Sequence, residues 1–333
     1  MRTMNAREVS TMTARAIART AGEAKSGTLT EAGELPGALK HLAQRWTRCL
    51  AVYLELTKPR ILALLVFTQW CAMVWAAKGW PSPSTTFAAT VGLALCAGGS
   101  AAVNMWYDRD IDARMQRTVH RPLPQGRIPA LHALVLGVGL GVAGVAVLAW
   151  SVNPLSALLA AAGYVYYACV YTMGLKRHTP QNIVFGGGAG AFPPLVGWAA
   201  VTGHLAWPAW VLFAIIFLWT PSHFWALALY RNADYKAAGV PMMPTVRGTK
   251  STIFQMGLYS LLLLPVSLLP YWALVHPWPY ETVAGLTGAV FLAAHAMLWR
   301  TRQDVGVWAR RTFFLSLIYL PVVFFALAAS AWT

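Results

Sequence analysis

An all-α membrane protein with nine transmembrane helices is the fold this sequence predicts, and three observations predict it. Of 333 residues, 57% are hydrophobic and 11% are charged, where a soluble domain carries about 25% charged residues. The apolar residues gather into nine stretches, each near the ~20 residues that cross a bilayer as a helix. The basic residues fall on alternate loops. This balance excludes an ordinary soluble enzyme, a disordered chain and a disulfide scaffold.

Residues 1–57 hold Ser, Thr, Arg and Glu with little apolar periodicity. They read as a polar, disordered cytoplasmic tail, and residues 58–333 as one intramembrane domain. Four Arg against one acid in the first twenty residues also suits an organellar transit peptide; a bacterial tail is the reading taken. The spans are expected at 61–77, 85–107, 129–150, 155–173, 183–202, 208–230, 252–275, 282–299 and 312–332, and none contains Asp, Glu, Lys or Arg.

Ten Lys and Arg precede the first span, and only Lys78 lies in the first loop. The second loop holds five, the fourth two, and the sixth and eighth four each; the third, fifth and seventh hold none. So 25 of the 26 lie on one side, which the positive-inside rule makes cytoplasmic, together with the N-terminus. The net charge of +15 is then a matter of topology, and nucleic acid is not an expected partner. Cys49, Cys71, Cys96 and Cys169 match no metal or redox spacing and read as packing thiols. The pairs Gly137/Gly141 and Gly186/Gly190 read as faces for close helix packing.

Only six acids follow residue 57, and four of them, Asp108, Asp110, Asp112 and Asp234, cluster just after the second and sixth spans. At 100° per residue Asn104, Asp108 and Asp112 stack on one helical face, while Asp110 points roughly opposite, as a solvated or salt-bridged residue would. Carboxylates four apart repel. A hard divalent cation removes that repulsion, and Mg²⁺ typically takes one or two carboxylates, some waters and substrate phosphate oxygens. Arg114, Arg117 and Arg121 follow at once, and guanidinium groups clamp phosphate bidentately.

The second cluster carries Asp234 and Lys236, four spans after the first. That offset suggests an internal pseudo-repeat with both acidic sites facing one cavity. Asp234 is a candidate for a second Mg²⁺, Lys236 for phosphate. Lys176 and Arg177, after the fourth span, are further phosphate candidates. A lipid diphosphate held at the membrane edge, its tail among the helices, fits this arrangement, and an allylic cation formed there needs a dry, aromatic-faced cavity. Tyr164, Tyr167 and Tyr171 share one face of the fourth span. His223, inside the sixth span, is an intramembrane ionisable residue, on the same face as Asp234 if its helix continues that far. Asn182 is counted with the cavity.

The segments NMWYDRDIDARMQRTVHRPLPQGRI, KRHTPQNIVFGGGAGAFPPLVGWAA, TPSHFWALALYR and DYKAAGVPMMPTVRG resemble, in matching order over about residues 50–333, the UbiA-type intramembrane prenyltransferases and their haem-farnesylating branch. The resemblance implies a nine-helix bundle around one cavity. It implies transfer of farnesyl from farnesyl diphosphate to a vinyl group of haem b, with addition of water, giving haem O. It implies Mg²⁺ held by Asn104, Asp108, Asp112 and Asp234, and diphosphate-side roles for Arg117, Arg121, Lys176 and Arg177. Haem b is then a substrate and not a resident cofactor. The implied setting is the bacterial cytoplasmic membrane, with the site facing the cytoplasm. Haem A synthase or assembly proteins of haem-copper oxidases are the implied partners.

Two positions depart from the resemblance: Ala238 stands where the superfamily often has a second acid, and Ser222 where Pro usually precedes the histidine. The residues alone reach a Mg²⁺-dependent enzyme acting on a membrane prenyl diphosphate. A prenyltransferase with an aromatic or quinone-precursor acceptor is the alternative enzyme, and a secondary transporter the alternative class. Transporters place coupling groups near the midplane on broken helices, and the acid-free spans count against that.

Overall fold

The computed structural model describes residues 46–47, 50–301 and 304–331. Most of the expected tail, residues 1–45, lies outside the described residues. The compact unit that begins at Leu50 is helical from its first turn. Residues 50–56 form a helical segment, and Leu56 is fully buried in one apolar cluster with Ala102, Met105 and Ala133. The folded part therefore starts before residue 58. Leu56 is buried while Leu50 and Leu54 are exposed, so a segment this short leaves no periodicity to read.

Nine helices among the described residues are long and apolar enough to cross a membrane. They are α1 (Pro59–Ala77), α2 (Pro83–Tyr107), α4 (Ala130–Ser151), α5 (Pro154–Val165, continued by a π-helical stretch Tyr166–Leu175), α6 (Asn182–Thr202), α7 (Trp207–Tyr230), α10 (Gly248–Leu268, closed by a 3-10 turn Leu269–Ala273), α11 (Trp278–Arg300) and α12 (Val305–Ser330). Three short helices, α3 (Arg109–Asp112), α8 (Asn232–Ala237) and α9 (Met243–Val246), lie between them. Proline opens several spans, where its missing N–H is no loss.

The boundaries agree with the sequence reading to within four residues, except at the start of α12. That helix begins at Val305 and carries Arg310 and Arg311 in its opening turns. The charges end the apolar stretch there without ending the backbone helix.

Each long helix packs on the next, and α12 packs back on α1, so the bundle closes into a ring. Helices α6 and α7 are the most buried spans, α6 packing also on α1 and α7 also on α12. Small residues set a close approach between α2 and α4: a Cβ on Gly99 would lie 2.5 Å from the Gly137 carbonyl oxygen. Gly137 and Gly141 thus serve close packing as the sequence predicts. Gly186 makes room for the Tyr171 ring, whereas Gly190 has nothing within 4 Å of an added Cβ.

The two acidic motifs are built alike. α2 ends at Tyr107 and the short α3 follows; α7 ends at Tyr230 and the short α8 follows. Arg231 (φ −113°, ψ 24°) breaks the second junction. His223 and Asp234 therefore do not share one continuous helix.

Candidate active site

The first motif keeps its helical face across a break. Asp108 caps α2 at φ −85° and ψ 3°. Its N–H still bonds the Asn104 carbonyl at 2.9 Å, and the Asp112 N–H bonds the Asp108 carbonyl at 2.8 Å. The 4-residue register survives, and Asn104, Asp108 and Asp112 are all buried. Asn104 Nδ2 donates to Asp108 Oδ2 at 2.7 Å and to Thr172 Oγ1 at 3.0 Å, tying the motif to the π-helical stretch of α5.

Buried carboxylates at this spacing need positive charge nearby, and the chain supplies it. Arg121 Nη1 pairs with Asp112 Oδ2 at 2.7 Å. Lys176 Nζ pairs with Asp108 Oδ2, and Arg177 Nη2 stands 3.6 Å from Asp108 Oδ1. Lys58 Nζ donates to Asn104 Oδ1, with the Tyr167 hydroxyl 3.3 Å away. Burial, with the neighbouring charges of Arg121 and Lys176, brings the Lys58 pKa down to about 7 against the opposing pull of Asp108 and Asp112. Asp110 turns away, as its angular position predicts: half exposed, it accepts two bonds from Arg177 at 2.7 and 2.8 Å. That contact holds the Asp110 carboxyl below the usual carboxylate range.

The second motif reaches the first. Tyr235 is buried, and the charges of Arg117, Arg121 and Asp234 all act on its hydroxyl. Burial raises the Tyr235 pKa, and Arg117 partly offsets that. Ile111 and Met115 share an apolar cluster with Tyr235, Ala238 and Val240. Asn182 joins the same end, its Nδ2 within 3.3 Å of the Lys176 carbonyl and 3.4 Å of the Pro241 carbonyl. It links the loop after α5 to the segment after α8. Lys236 is exposed.

The oxygens present suit a hard cation. Asp108 Oδ1, Asn182 Oδ1 and Asp234 Oδ2 are buried with no hydrogen-bond partner. Such atoms cost about 1–3 kcal/mol each when left unsatisfied. Among the described residues no three His, Cys, Asp or Glu side chains form a protein-only cage. Mg²⁺ does not need one, because waters and phosphate oxygens complete its shell.

The aromatic expectations divide. Tyr167 and Tyr171 stack at 5.6 Å, and Tyr167 lies beside Lys58. Tyr164 is not with them: its ring packs against Gly141 and its hydroxyl donates to the Gly137 carbonyl at 3.1 Å, on α4. The wider turns of the π-helical stretch, which begins at Tyr166, rotate the later tyrosines out of the phase a uniform α-helix would give.

His223 is buried between Trp219 (4.2 Å) and Phe313 (4.8 Å), both stacked on its ring. Its Nδ1 lies 2.7 Å from Ser316 Oγ, and that hydroxyl gives its single proton to the Phe313 carbonyl at 2.6 Å. Ser316 therefore accepts from Nδ1–H, and the Nε2 nitrogen keeps its lone pair.

Three residues at this mouth were not among the sequence candidates: Lys58, Thr172 and Tyr235. Lys58 is one of ten cations before the first span, and nothing in composition separates it from the others. Tyr235 stands beside Asp234, and a buried aromatic there becomes visible only once Arg117 is placed. Thr172 has no signal in the sequence.

Oxygen donors and cations gathered at one end of an apolar bundle suit an enzyme that grips a charged head group at the membrane edge while an apolar tail lies among helices. The chain belongs to the UbiA prenyltransferase family, whose profile matches residues 64–318. It is a prenyltransferase and an integral membrane protein.

Among its relatives, "Protoheme IX farnesyltransferase" of Symbiobacterium thermophilum is 52% identical over 83% of this chain and 92% of its own length. The protein of the same description from Parvibaculum lavamentivorans is 49% identical over 82% and 86%. One from Roseiflexus sp. is 48% identical over 83% of this chain, which spans only 51% of that longer protein.

Solved structures share the fold. That of a digeranylgeranylglyceryl phosphate synthase superposes with a TM-score of 0.71 at 18% identity, covering 85% of this chain and 98% of its own. A UbiA homolog from Archaeoglobus fulgidus, described as bound to DMAPP and Mg²⁺, gives 0.64 at 14% identity over 83% and 98%.

Proposed function

We propose that this chain transfers the farnesyl group of farnesyl diphosphate to a vinyl group of haem b, giving haem O. The farnesyl C1–O bond breaks and its electron pair leaves on the diphosphate. The vinyl π pair forms the new C–C bond, water adds to the resulting cation, and one proton is lost. The observation that carries the reading is the meeting of the two motifs, with Ile111 and Met115 of the first in one apolar cluster with Tyr235 and Ala238 of the second. The names of relatives near 50% identity supply the haem acceptor.

Mg²⁺, when bound, neutralises the charge that develops on the leaving diphosphate. Asn104, Asp108, Asp112 and Asp234 are the residues to hold it. Arg117, Arg121, Lys176, Arg177 and Lys236 grip the diphosphate oxygens. Tyr167 and Tyr171 turn aromatic surface toward the reacting carbon and exclude water. Asn182 fixes the Lys176 backbone through its bond to that carbonyl. In this reading His223, with its lone pair on Nε2, binds haem. Tyr164 supports α5 from outside the cavity.

In this reading the N-terminus and the mouth face the bacterial cytoplasm, and haem A synthase or oxidase assembly proteins receive the product. The test is pigment analysis of membranes with and without the protein. Haem O is expected only when the chain is present, and its absence from membranes that contain the inserted protein contradicts the proposal.

A further inference from the structure

Lys58 stands apart from every other cation at the mouth. Its backbone is left-handed (φ 53°, ψ 61°), and it precedes Pro59, which narrows its choices further. The other end of α1 is built alike. Lys78 is also left-handed (φ 51°, ψ 42°), and its N–H is directed at the Trp75 and Val74 carbonyls. The Lys58 N–H in the same way bonds the Glu55 carbonyl at 3.2 Å, closing the helical segment 50–56. What sets Lys58 apart is its side chain, whose Nζ reaches Asn104 Oδ1, with the Tyr167 hydroxyl 3.3 Å away.

We infer that Lys58 is a diphosphate-binding residue that shares Asn104 with the metal by exchange, leaving the Asn104 oxygen for phosphate oxygens when a magnesium–diphosphate head enters. An ammonium and a divalent cation on one amide oxygen stand within a few ångströms and repel strongly, so they hold it in turn. The ammonium has a short path to a better partner. Arg121 and Lys176 act on it as like charges, and an anion set among the three converts mutual repulsion into attraction. Lys176 and Arg121 repeat the logic on Asp108 and Asp112. Lys58 alone does so from α1, across a sequence separation of 46 residues from Asn104.

The inference rests on the metal–diphosphate reading of the mouth, and its test separates the two. Purified protein in detergent is titrated with Mn²⁺ alone, and then with inorganic pyrophosphate in the presence of Mn²⁺, for the wild type, Lys58→Met and Lys58→Arg. Lys58→Met is expected to bind Mn²⁺ alone several-fold tighter, because the competitor for Asn104 is gone. It is expected to bind pyrophosphate about tenfold to a hundredfold more weakly, because a charge-assisted bond is gone. Lys58→Arg should stay near the wild type in both.

Two constants that move together in Lys58→Met, or do not move, overturn the inference. A wild type that binds neither ligand overturns the reading beneath it. Should Lys58→Met fail to fold, acetylation of the wild type by acetic anhydride, read by mass spectrometry, decides. Labelling of Lys58 should rise with Mn²⁺ alone and fall when pyrophosphate is added, and equal labelling in all three conditions overturns the exchange.

Discussion

The two acidic motifs are built to opposite electrostatic prescriptions. In the first, Asn104, Asp108 and Asp112 each face a cation: Lys58, Lys176 and Arg121 in turn. In the second, Asp234 Oδ2 is buried without a partner, and Lys236 on the same short helix is exposed. The difference teaches where folding and function part. The first motif is held together by its own ion pairs and is therefore a structural centre as well as a binding one. The second carries a buried oxygen without a hydrogen bond, as the first does at Asp108 Oδ1, but among the described residues no ion pair holds Asp234 as Lys176 and Arg121 hold Asp108 and Asp112.

The largest expected effect breaks the first side of that comparison. Asp108→Ala should abolish haem O formation from farnesyl diphosphate, haem b and Mg²⁺. It should also lower thermal stability in detergent, by about 3–5 kcal/mol, because Lys176 is left as a part-buried, unpaired charge. Asp112→Asn keeps the shape beside Arg121 and should abolish product while the protein still inserts and folds.

On the second side, Asp234→Ala should also abolish product, yet thermal unfolding should be unchanged or shifted upward, since an unsatisfied buried oxygen is removed. A fall in stability as large as that of Asp108→Ala would erase the contrast.

His223→Ala should weaken haem binding in a spectral titration, with pyrophosphate binding retained. An unchanged haem titration reduces His223 to packing between Trp219 and Phe313.

Smallest is Asp110→Asn, which leaves the Arg177 contact without its charge. The pair is partly exposed, so the cost should be below about 1 kcal/mol. Because Arg177 depresses the Asp110 pKa, the pair's contribution is complete at neutral pH, above the ordinary carboxylate value. It is lost as pH falls through the depressed value, so the difference between Asp110→Asn and wild type in thermal unfolding should vanish in acid.

What the sequence made legible, and what it hid, follows the physics of each signal. The spans were legible because apolar length is a strong and local quantity, and only α12 began more than four residues early, where Arg310 and Arg311 mask the helix. The Asn104–Asp108–Asp112 face was legible because the 4-residue register runs through the cap at Asp108. The phase of Tyr164 was not, since nothing local in the sequence marks the π-helical stretch that begins at Tyr166. The break at Arg231 lies in a polar run that a helix or a turn accommodates equally. Lys58 stayed hidden because its importance comes from a partner 46 residues away, which leaves no local pattern.

The central claim is that both motifs hold one magnesium–diphosphate head. Mn²⁺ binding in the presence of pyrophosphate, followed by electron paramagnetic resonance on purified wild type, Asp112→Asn and Asp234→Ala, tests it most directly. The account predicts tight binding in the wild type and its loss in each variant alone. Wild-type affinity in either variant would show that the motif it carries has no part in holding the ligand, and would contradict the claim.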